Sequence, residues 1–251
     1  MDLSLKNKKV FVSGSSRGIG LGIAKRFIDE DADVVINGRN LDELDTAMAT
    51  LGKCRSVDGD VSNPDDALRT IKRADEILNG IDILVCNVGS GSSVPPGQET
   101  YNEWHRVFAI NFFSATNLIE ASLDFLTKSK GSIVCISSIC GSETIPGAPV
   151  TYSVAKSAVN AYVKSMAAPL ALRGIRINAV APGNISFEGS VWSTKMTQDP
   201  ESVKAMLKDN VPLGKLGSPD DVAHAVVWLA SDIAKFVTGS IVTTDGGQTR
   251  S

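Results

Sequence analysis

Lys9-Val10-Phe11-Val12-Ser13-Gly14-Ser15-Ser16-Arg17-Gly18-Ile19-Gly20 decides the fold. A short apolar run passes into three glycines, and a helical pattern follows. Such a run suits a parallel strand buried on both faces. Gly14, Gly18 and Gly20 permit a tight turn and a close approach of backbone to phosphate. The next helix then offers free N–H groups and a partial positive charge to a pyrophosphate. The spacing is GxxxGxG, not the GxGxxG of the dinucleotide fingerprint. Ser16, Arg17 and Ile19 lie between these glycines and join them as candidate cofactor contacts.

Outward from this loop, β-rich runs alternate with longer helical segments. Strands are expected at 9–13, 33–37, 54–58, 81–86, 132–137, 176–180 and 240–244. Helices are expected at 18–29, 41–50, 64–79, 101–126, 151–173 and 220–231. This rhythm predicts an α/β fold: one doubly wound, Rossmann-type parallel sheet of about seven strands, with helices on both faces. One domain is expected over 1–251. Residues 184–218 break the rhythm and are read as a substrate loop. Ligands of such sheets bind at the carboxyl ends of the strands, near the point where strand order reverses. The chemistry is therefore sought just after each strand.

The second strand ends at Asn37-Gly38-Arg39-Asn40. An NAD site commonly has a carboxylate here for the ribose hydroxyls. None occurs before Asp42, whereas Arg39 and Arg17 can hold a 2′-phosphate by charge-assisted hydrogen bonds. NADP(H) is the expected cofactor, with NAD(H) as the alternative.

The chain has 251 residues, 43% of them hydrophobic, and a formal net charge of −3. That charge gives no pull toward nucleic acid or an anionic membrane. The N-terminal residues are polar, with no signal-type apolar run behind them and no membrane span elsewhere. A cytoplasmic location follows as the expectation. Two histidines, His105 and His224, give little material for a metal site or a Ser-His-Asp triad, and both are read as structural. No metal is expected. The four cysteines, Cys54, Cys86, Cys135 and Cys140, form no CxxC pair and are read as buried free thiols.

Tyr152 and Lys156 stand four residues apart at the start of a helix, so they share a face. A free tyrosine titrates near pH 10. A cation about 4 Å away is worth on the order of 4 kcal/mol at an effective dielectric of about 20. That equals roughly three pKa units. The expectation is a phenol lowered toward neutrality and usable as an acid or base. Ser138 ends the fifth strand, where its hydroxyl can donate to a carbonyl oxygen as charge develops on it.

The sequence resembles the short-chain dehydrogenase/reductase family over nearly its whole length. The matching pieces, in order, are the glycine loop, Asp60-Val61, Cys86-Asn87-Val88-Gly89, Asn111, Ser138, Tyr152-xxx-Lys156, Pro182-Gly183 and Asp245-Gly246-Gly247. The branch of about 250 residues, with 3-oxoacyl carrier-protein reductases and many sugar, polyol and steroid dehydrogenases, is the most similar. The resemblance implies that Tyr152 exchanges a proton with the substrate oxygen. Lys156 would lower the tyrosine pKa and hold the nicotinamide ribose. Ser138 would polarise the carbonyl, and Asn111 would hold a water relay. Asp60 and Val61 would contact adenine, Asn87 and Gly89 would line the crevice, and Pro182, Gly183 and Ile185 would flank the nicotinamide. It also implies a homodimer or homotetramer.

Three departures stand out. Val88 replaces a common alanine, and the Ser138–Tyr152 spacing is one residue longer than in many members. Phe187 stands where many members carry a threonine that contacts the carboxamide. Either Ser186 supplies that hydroxyl or the backbone alone holds the ring. The expected function is hydride transfer between NADP(H) and a ketone or secondary alcohol, such as a 3-oxoacyl, sugar or similar small substrate. Reduction is the favoured direction. The rivals are a non-catalytic NADP sensor, and an epimerase or dehydratase of the longer branch. An intact Ser-Tyr-Lys set argues against the first, and chain length against the second.

Overall fold

The structure, a computed structural model, describes residues 2–249. Met1, Arg250 and Ser251, the ends of the expected 1–251 domain, lie outside the described residues. Seven parallel strands form one sheet in the order β3-β2-β1-β4-β5-β6-β7. They are β1 (Lys9–Val12), β2 (Asp33–Gly38), β3 (Cys54–Asp58), β4 (Ile83–Cys86), β5 (Ser132–Ile136), β6 (Arg176–Pro182) and β7 (Ile241–Thr244). Strand order reverses between β1 and β4, so the loops after these two strands open the crevice.

Alternation along each strand divides the core. Val10, Val12, Val34, Ile36, Val134 and Ile136 face one layer of helices. That layer holds α1 (Gly18–Asp29), α2 (Leu41–Leu51) and α9 (Pro219–Ala230), with Phe27 and Val226 buried in it. Phe11, Val35, Ile133 and Cys135 face the other layer. It holds α3 (Pro64–Leu78), α5 (Ser114–Ser129) and α6 (Val150–Ala171), with Ile71, Leu118 and Val159 buried. Sheet and helices thus sandwich two apolar cores, which accounts for strands that read as unbroken apolar runs.

The helix starts follow local chemistry. Asn40 accepts from the backbone N–H groups of Asp42 and Glu43 to start α2. Asn63 caps α3, with Pro64 at its first position. Ser218 and Asp221 form a reciprocal capping box on α9. Such caps satisfy N–H groups that have no partner within the helix.

Two expectations are corrected. The helix expected over 101–126 divides into α4 (Tyr101–Phe108), a π-helical turn (Ala109–Phe113) and α5. The buried Asn111 lies in that turn, and its amide donates to the Val107 carbonyl at 3.1 Å. A side chain competing for a helix carbonyl favours a local change of winding. The loop 184–218 is also more ordered than expected, because it carries α7 (Val191–Gln198) and α8 (Pro200–Asn210). Val203, Leu207 and Val211 form a small core there, with Trp192, Met196 and Met206 packed on it. No helix among the described residues is long and apolar enough to cross a membrane.

Candidate active site

The glycine loop is braced from both neighbouring strands. Asn37, buried at the end of β2, receives the Gly14 N–H and donates to the carbonyls of Val57 and Gly59. Its own backbone N–H donates to Ser15 Oγ at 3.0 Å. From β4, Asn87 Nδ2 donates to the carbonyls of Ser13 and Gly14, at 3.0 and 2.8 Å. Its backbone N–H donates to Ser13 Oγ. Gly14 and Gly18 adopt φ of +58° and +59°, where a side chain is strained. A Cβ on Gly20 would lie 2.4 Å from the Gly14 carbonyl oxygen, so the loop can close onto α1 only through glycine. Asn37 escaped the sequence reading as a site residue. Its role depends on which strand pairs with β1.

A cleft of about 820 Å³ runs from this loop to the end of β5 and the start of α6. Of the expected residues, Gly14, Arg17, Ile19, Gly20, Asn87 and Gly89 line its loop end. Ser138, Tyr152 and Lys156 line its centre, and Pro182, Gly183 and Ile185 line the wall from β6. The close approach of Gly183 to Asp245 leaves no room for a side chain, since a Cβ would lie 2.7 Å from the Asp245 Cβ. Glu143, Lys195, Asn210 and Gln248 also line the cleft. They lie in loops and short helices whose approach no local pattern encodes.

Other expected residues sit apart from the cleft lining. Ser16 and Gly18 line a neighbouring pocket between α1 and α2, and Ser16 Oγ donates to Glu43. Arg39 forms an exposed ion pair with Asp60 at 3.5 Å. Burial pushes the Asp60 carboxyl up, but hydrogen bonds from Ser62 and the Arg39 charge outweigh it and hold it below its usual range. Val61 is buried.

Asn111 does not bond to Lys156. Its Oδ1 accepts from the Ser90 N–H at 2.9 Å and its Nδ2 donates to the Ser90 carbonyl. Gly89 is wedged between the two side chains: a Cβ there would lie 3.0 Å from both Asn111 Oδ1 and Lys156 Nζ.

Ser137 and Ser138 take opposite duties. Ser137 Oγ donates to Asn160 at 2.6 Å and ties β5 to α6. The Ser138 hydroxyl accepts from the Cys140 N–H and bonds the Tyr152 phenol. Cys140 therefore lies on the cleft beside Ser138; it and Cys54 are half-buried rather than buried as expected, while Cys86 and Cys135 are the buried thiols expected. Burial pushes the Cys140 thiol up.

Electrostatics differ from the expectation for Tyr152. Burial pushes its phenol up to about 12, and the hydrogen bond from Ser138 recovers only part of this. Burial also lowers Lys156 to about 8. The ammonium lies 5.9 Å from the tyrosine ring centroid and donates instead to the Ile136 carbonyl at 2.8 Å. Taking both groups out of water outweighs their mutual influence, a cost that spacing alone cannot show.

Phe187 packs on the glycine loop. A Cβ on Gly18 would lie 2.6 Å from its ring. Ile185 and Phe187 line the cleft and Ser186 does not; the Ser186 N–H donates to the Gly217 carbonyl. Among the described residues, no cluster of three His, Cys, Asp or Glu side chains could hold a metal ion.

The braced loop and the adjoining cleft fit a dinucleotide. A family model described as enoyl-(acyl carrier protein) reductase matches residues 14–249. The chain is 33% identical to a 3-oxoacyl-(acyl-carrier-protein) reductase of Chlamydia pneumoniae, over 99% of this chain and 100% of that protein. It is 36% identical to 3beta-hydroxysteroid dehydrogenase 1 of Eggerthella lenta, over 98% of this chain and 95% of that one. The structure of L-sorbose reductase from Gluconobacter frateurii, complexed with NADPH and L-sorbose, superposes with a TM-score of 0.93. That match spans 100% of both chains at 27% identity.

Proposed function

The chain belongs to the short-chain dehydrogenase/reductase family and is an oxidoreductase acting on CH–OH or ketone groups; from that premise we propose that it reduces a ketone at the expense of NADPH. The observation that carries this reading is one cleft that joins Ser138, Tyr152 and Lys156 to the braced glycine loop. A single domain then serves both cofactor and substrate, with 184–218 as the substrate segment.

When bound, the nicotinamide supplies the hydride. Tyr152 supplies the proton: a phenol held near pKa 12 keeps its proton through the neutral range, the form a donor needs. Ser138 faces the cleft beside that phenol, and its one proton serves either the phenol or the substrate oxygen: it orients the donor until a ketone enters, and would then turn to the oxygen receiving the proton. Lys156, anchored on Ile136, holds its ammonium 5.9 Å from the tyrosine ring centroid and is a partner for ribose hydroxyls. Asn111 fixes the Ser90 backbone and so shapes the wall beside Lys156. Arg17 and Arg39 favour NADPH, and that preference favours reduction.

The substrate class proposed is a small ketone of 3-oxoacyl, sugar or similar type. The cleft offers apolar surface at Ile145 and Met206 together with polar groups at Asn210 and Gln248. A homodimer or homotetramer and a cytoplasmic location complete the proposal. Nicotinamide absorbance on a panel of ketones tests it. Turnover with NADPH, lost in Tyr152→Phe while NADPH affinity holds, is the expected result. Tight NADPH binding without turnover on any ketone would replace the enzyme by a sensor.

A further inference from the structure

Thr151 precedes Tyr152 in the first turn of α6 and is fully buried. Its hydroxyl lies 2.6 Å from Ser93 Oγ. Ser93 sits on the loop after β4, which walls the cleft at Gly89, Ser90 and Gly91. Ser93 Oγ also donates to Glu103 Oε1 at 2.7 Å.

The direction of this chain follows from counting protons. A hydroxyl has one proton to donate, and an ionised carboxylate can only accept. Ser93 gives its proton to Glu103, so Thr151 must donate to Ser93. The chain runs Thr151 to Ser93 to Glu103. Arg106 closes it, donating to both Glu103 oxygens at 2.7 Å from Nε and Nη2. Hydrogen bonds from Arg106 and Ser93 hold the Glu103 carboxyl down at about 2, so the chain stays ionised over the working range of pH.

The same groups hold the loop backbone. Arg106 Nη2 donates to the Ser92 carbonyl at 2.9 Å. The Val94 N–H reaches Glu103. Asn111 takes both backbone groups of Ser90. One loop is therefore pinned to α4 and to the π-helical turn, and Ser93 carries that anchorage across to α6 next to the catalytic phenol. The N-terminus of α6 has no side-chain cap: Pro149 stands there and supplies none. The Thr151 hydroxyl is the lateral tie at this end.

We propose that Thr151 is a positioning residue for Tyr152, and that the Thr151–Ser93–Glu103 chain locks the phenol in register with the cleft wall facing it. This rests on the reading of Tyr152 as proton donor. Errors of about 1 Å in such placement can cost on the order of a hundredfold in rate. A hydroxyl replaced by a methyl of the same shape loosens the tie without emptying the site.

The test is Thr151→Val, with Thr151→Ser, Ser93→Ala, the double variant Thr151→Val/Ser93→Ala and Tyr152→Phe beside it. For each, kcat, KM, NADPH affinity and Tm are measured. Thr151→Val should lower kcat about tenfold, the equivalent of about 1.4 kcal/mol in the barrier. KM and NADPH affinity should stay within about twofold of the parent, by the same scale on which 1.4 kcal/mol is tenfold. Thr151→Ser should restore kcat. Ser93→Ala should reproduce the loss, and the double variant should be no worse than either single one, as members of one chain are non-additive. A lower Tm with kcat per folded site unchanged would overturn the proposal and leave Thr151 a packing residue. Full additivity in the double variant would also overturn it. Activity surviving in Tyr152→Phe would strike the proton-donor reading itself; an inactive Tyr152→Phe beside a fully active Thr151→Val would strike only the positioning role.

Discussion

The ring of Phe187 lies directly on Gly18, so close that a Cβ on the glycine would be 2.6 Å from ring carbon. Two costs therefore meet at this position, the positive φ and the ring.

Gly18→Ala should weaken NADPH binding at least tenfold. A left-handed φ costs an L-residue roughly 1–2 kcal/mol, and the clash adds to it. Gly18→Ala combined with Phe187→Ala removes the clash and keeps the backbone strain. The double variant should recover affinity in part, read by quenching of protein fluorescence on titration with NADPH. Full recovery would mean that the φ at residue 18 carries no cost.

Lys156→Met should abolish turnover while raising stability at neutral pH. Lys156 falls from 10.5 to about 8 on folding. Between those values the unfolded chain binds more protons, so folding stability rises with pH across that window. Below about pH 8 the whole penalty is present, about 3 kcal/mol at about 1.4 kcal/mol per pKa unit. Leaving the Ile136 carbonyl without its donor returns about 1–3 kcal/mol of that. The net gain is on the order of 1 kcal/mol, or about 2 °C in Tm for a chain of this size. Scanning calorimetry of both proteins should show the advantage below pH 8 and its decline toward pH 10.5. A constant difference across that range would refute the assignment.

The sequence carried the glycine loop, the seven strands and the Tyr152–Lys156 face because each rests on short-range pattern. Apolar runs mark strands buried on both faces, and a spacing of four sets one helix face. What it hid depends on the assembled fold. Asn37 and Thr151 act through partners 20 or more residues away, on elements whose pairing no local pattern announces. The rise of Tyr152 to about 12 comes from desolvation, which exists only once the cleft closes around it. Helices α7 and α8 stayed hidden because their few apolar residues pack on one another rather than on the sheet. The π-helical turn coincides with two side chains that take helix carbonyls, Asn111 on Val107 and Ser114 on Ile110, a competition that helical spacing does not show.

Arg39→Ala should lower the ratio of catalytic efficiency with NADPH to that with NADH. Arg39 is largely exposed and meets Asp60 at 3.5 Å, a loose pairing that a 2′-phosphate can outcompete. A loss of about tenfold or more in NADPH efficiency, with NADH little changed, is expected from removing one charge-assisted contact. Raising the salt concentration should narrow the gap, because exposed charges are screened. Equal losses with both cofactors would assign Arg39 to the structure of the loop rather than to the phosphate.

Arg176→Ala should destabilise the fold without changing turnover per folded site. The guanidinium, at the start of β6, donates to the carbonyls of Leu229 and Val237 from Nη1, at 2.7 and 3.3 Å. From Nη2 it donates to those of Ala230 and Ser231, at 3.1 Å each. It thereby closes the C-terminus of α9, whose last carbonyls have no partner within the helix. Burial lowers the Arg176 pKa against the pull of Asp232, yet the group remains a cation throughout the usable range. Removing it strands several partly buried carbonyls, at about 1–3 kcal/mol for each left unpaired, less what water recovers. A net loss of about 3 kcal/mol in urea unfolding is expected, with the slope unchanged. Arg176→Lys should rescue only part of it, since an ammonium cannot span two pairs of carbonyls as the planar fork does. A loss below about 0.5 kcal/mol, the range of ordinary surface changes, would show that the cap is dispensable.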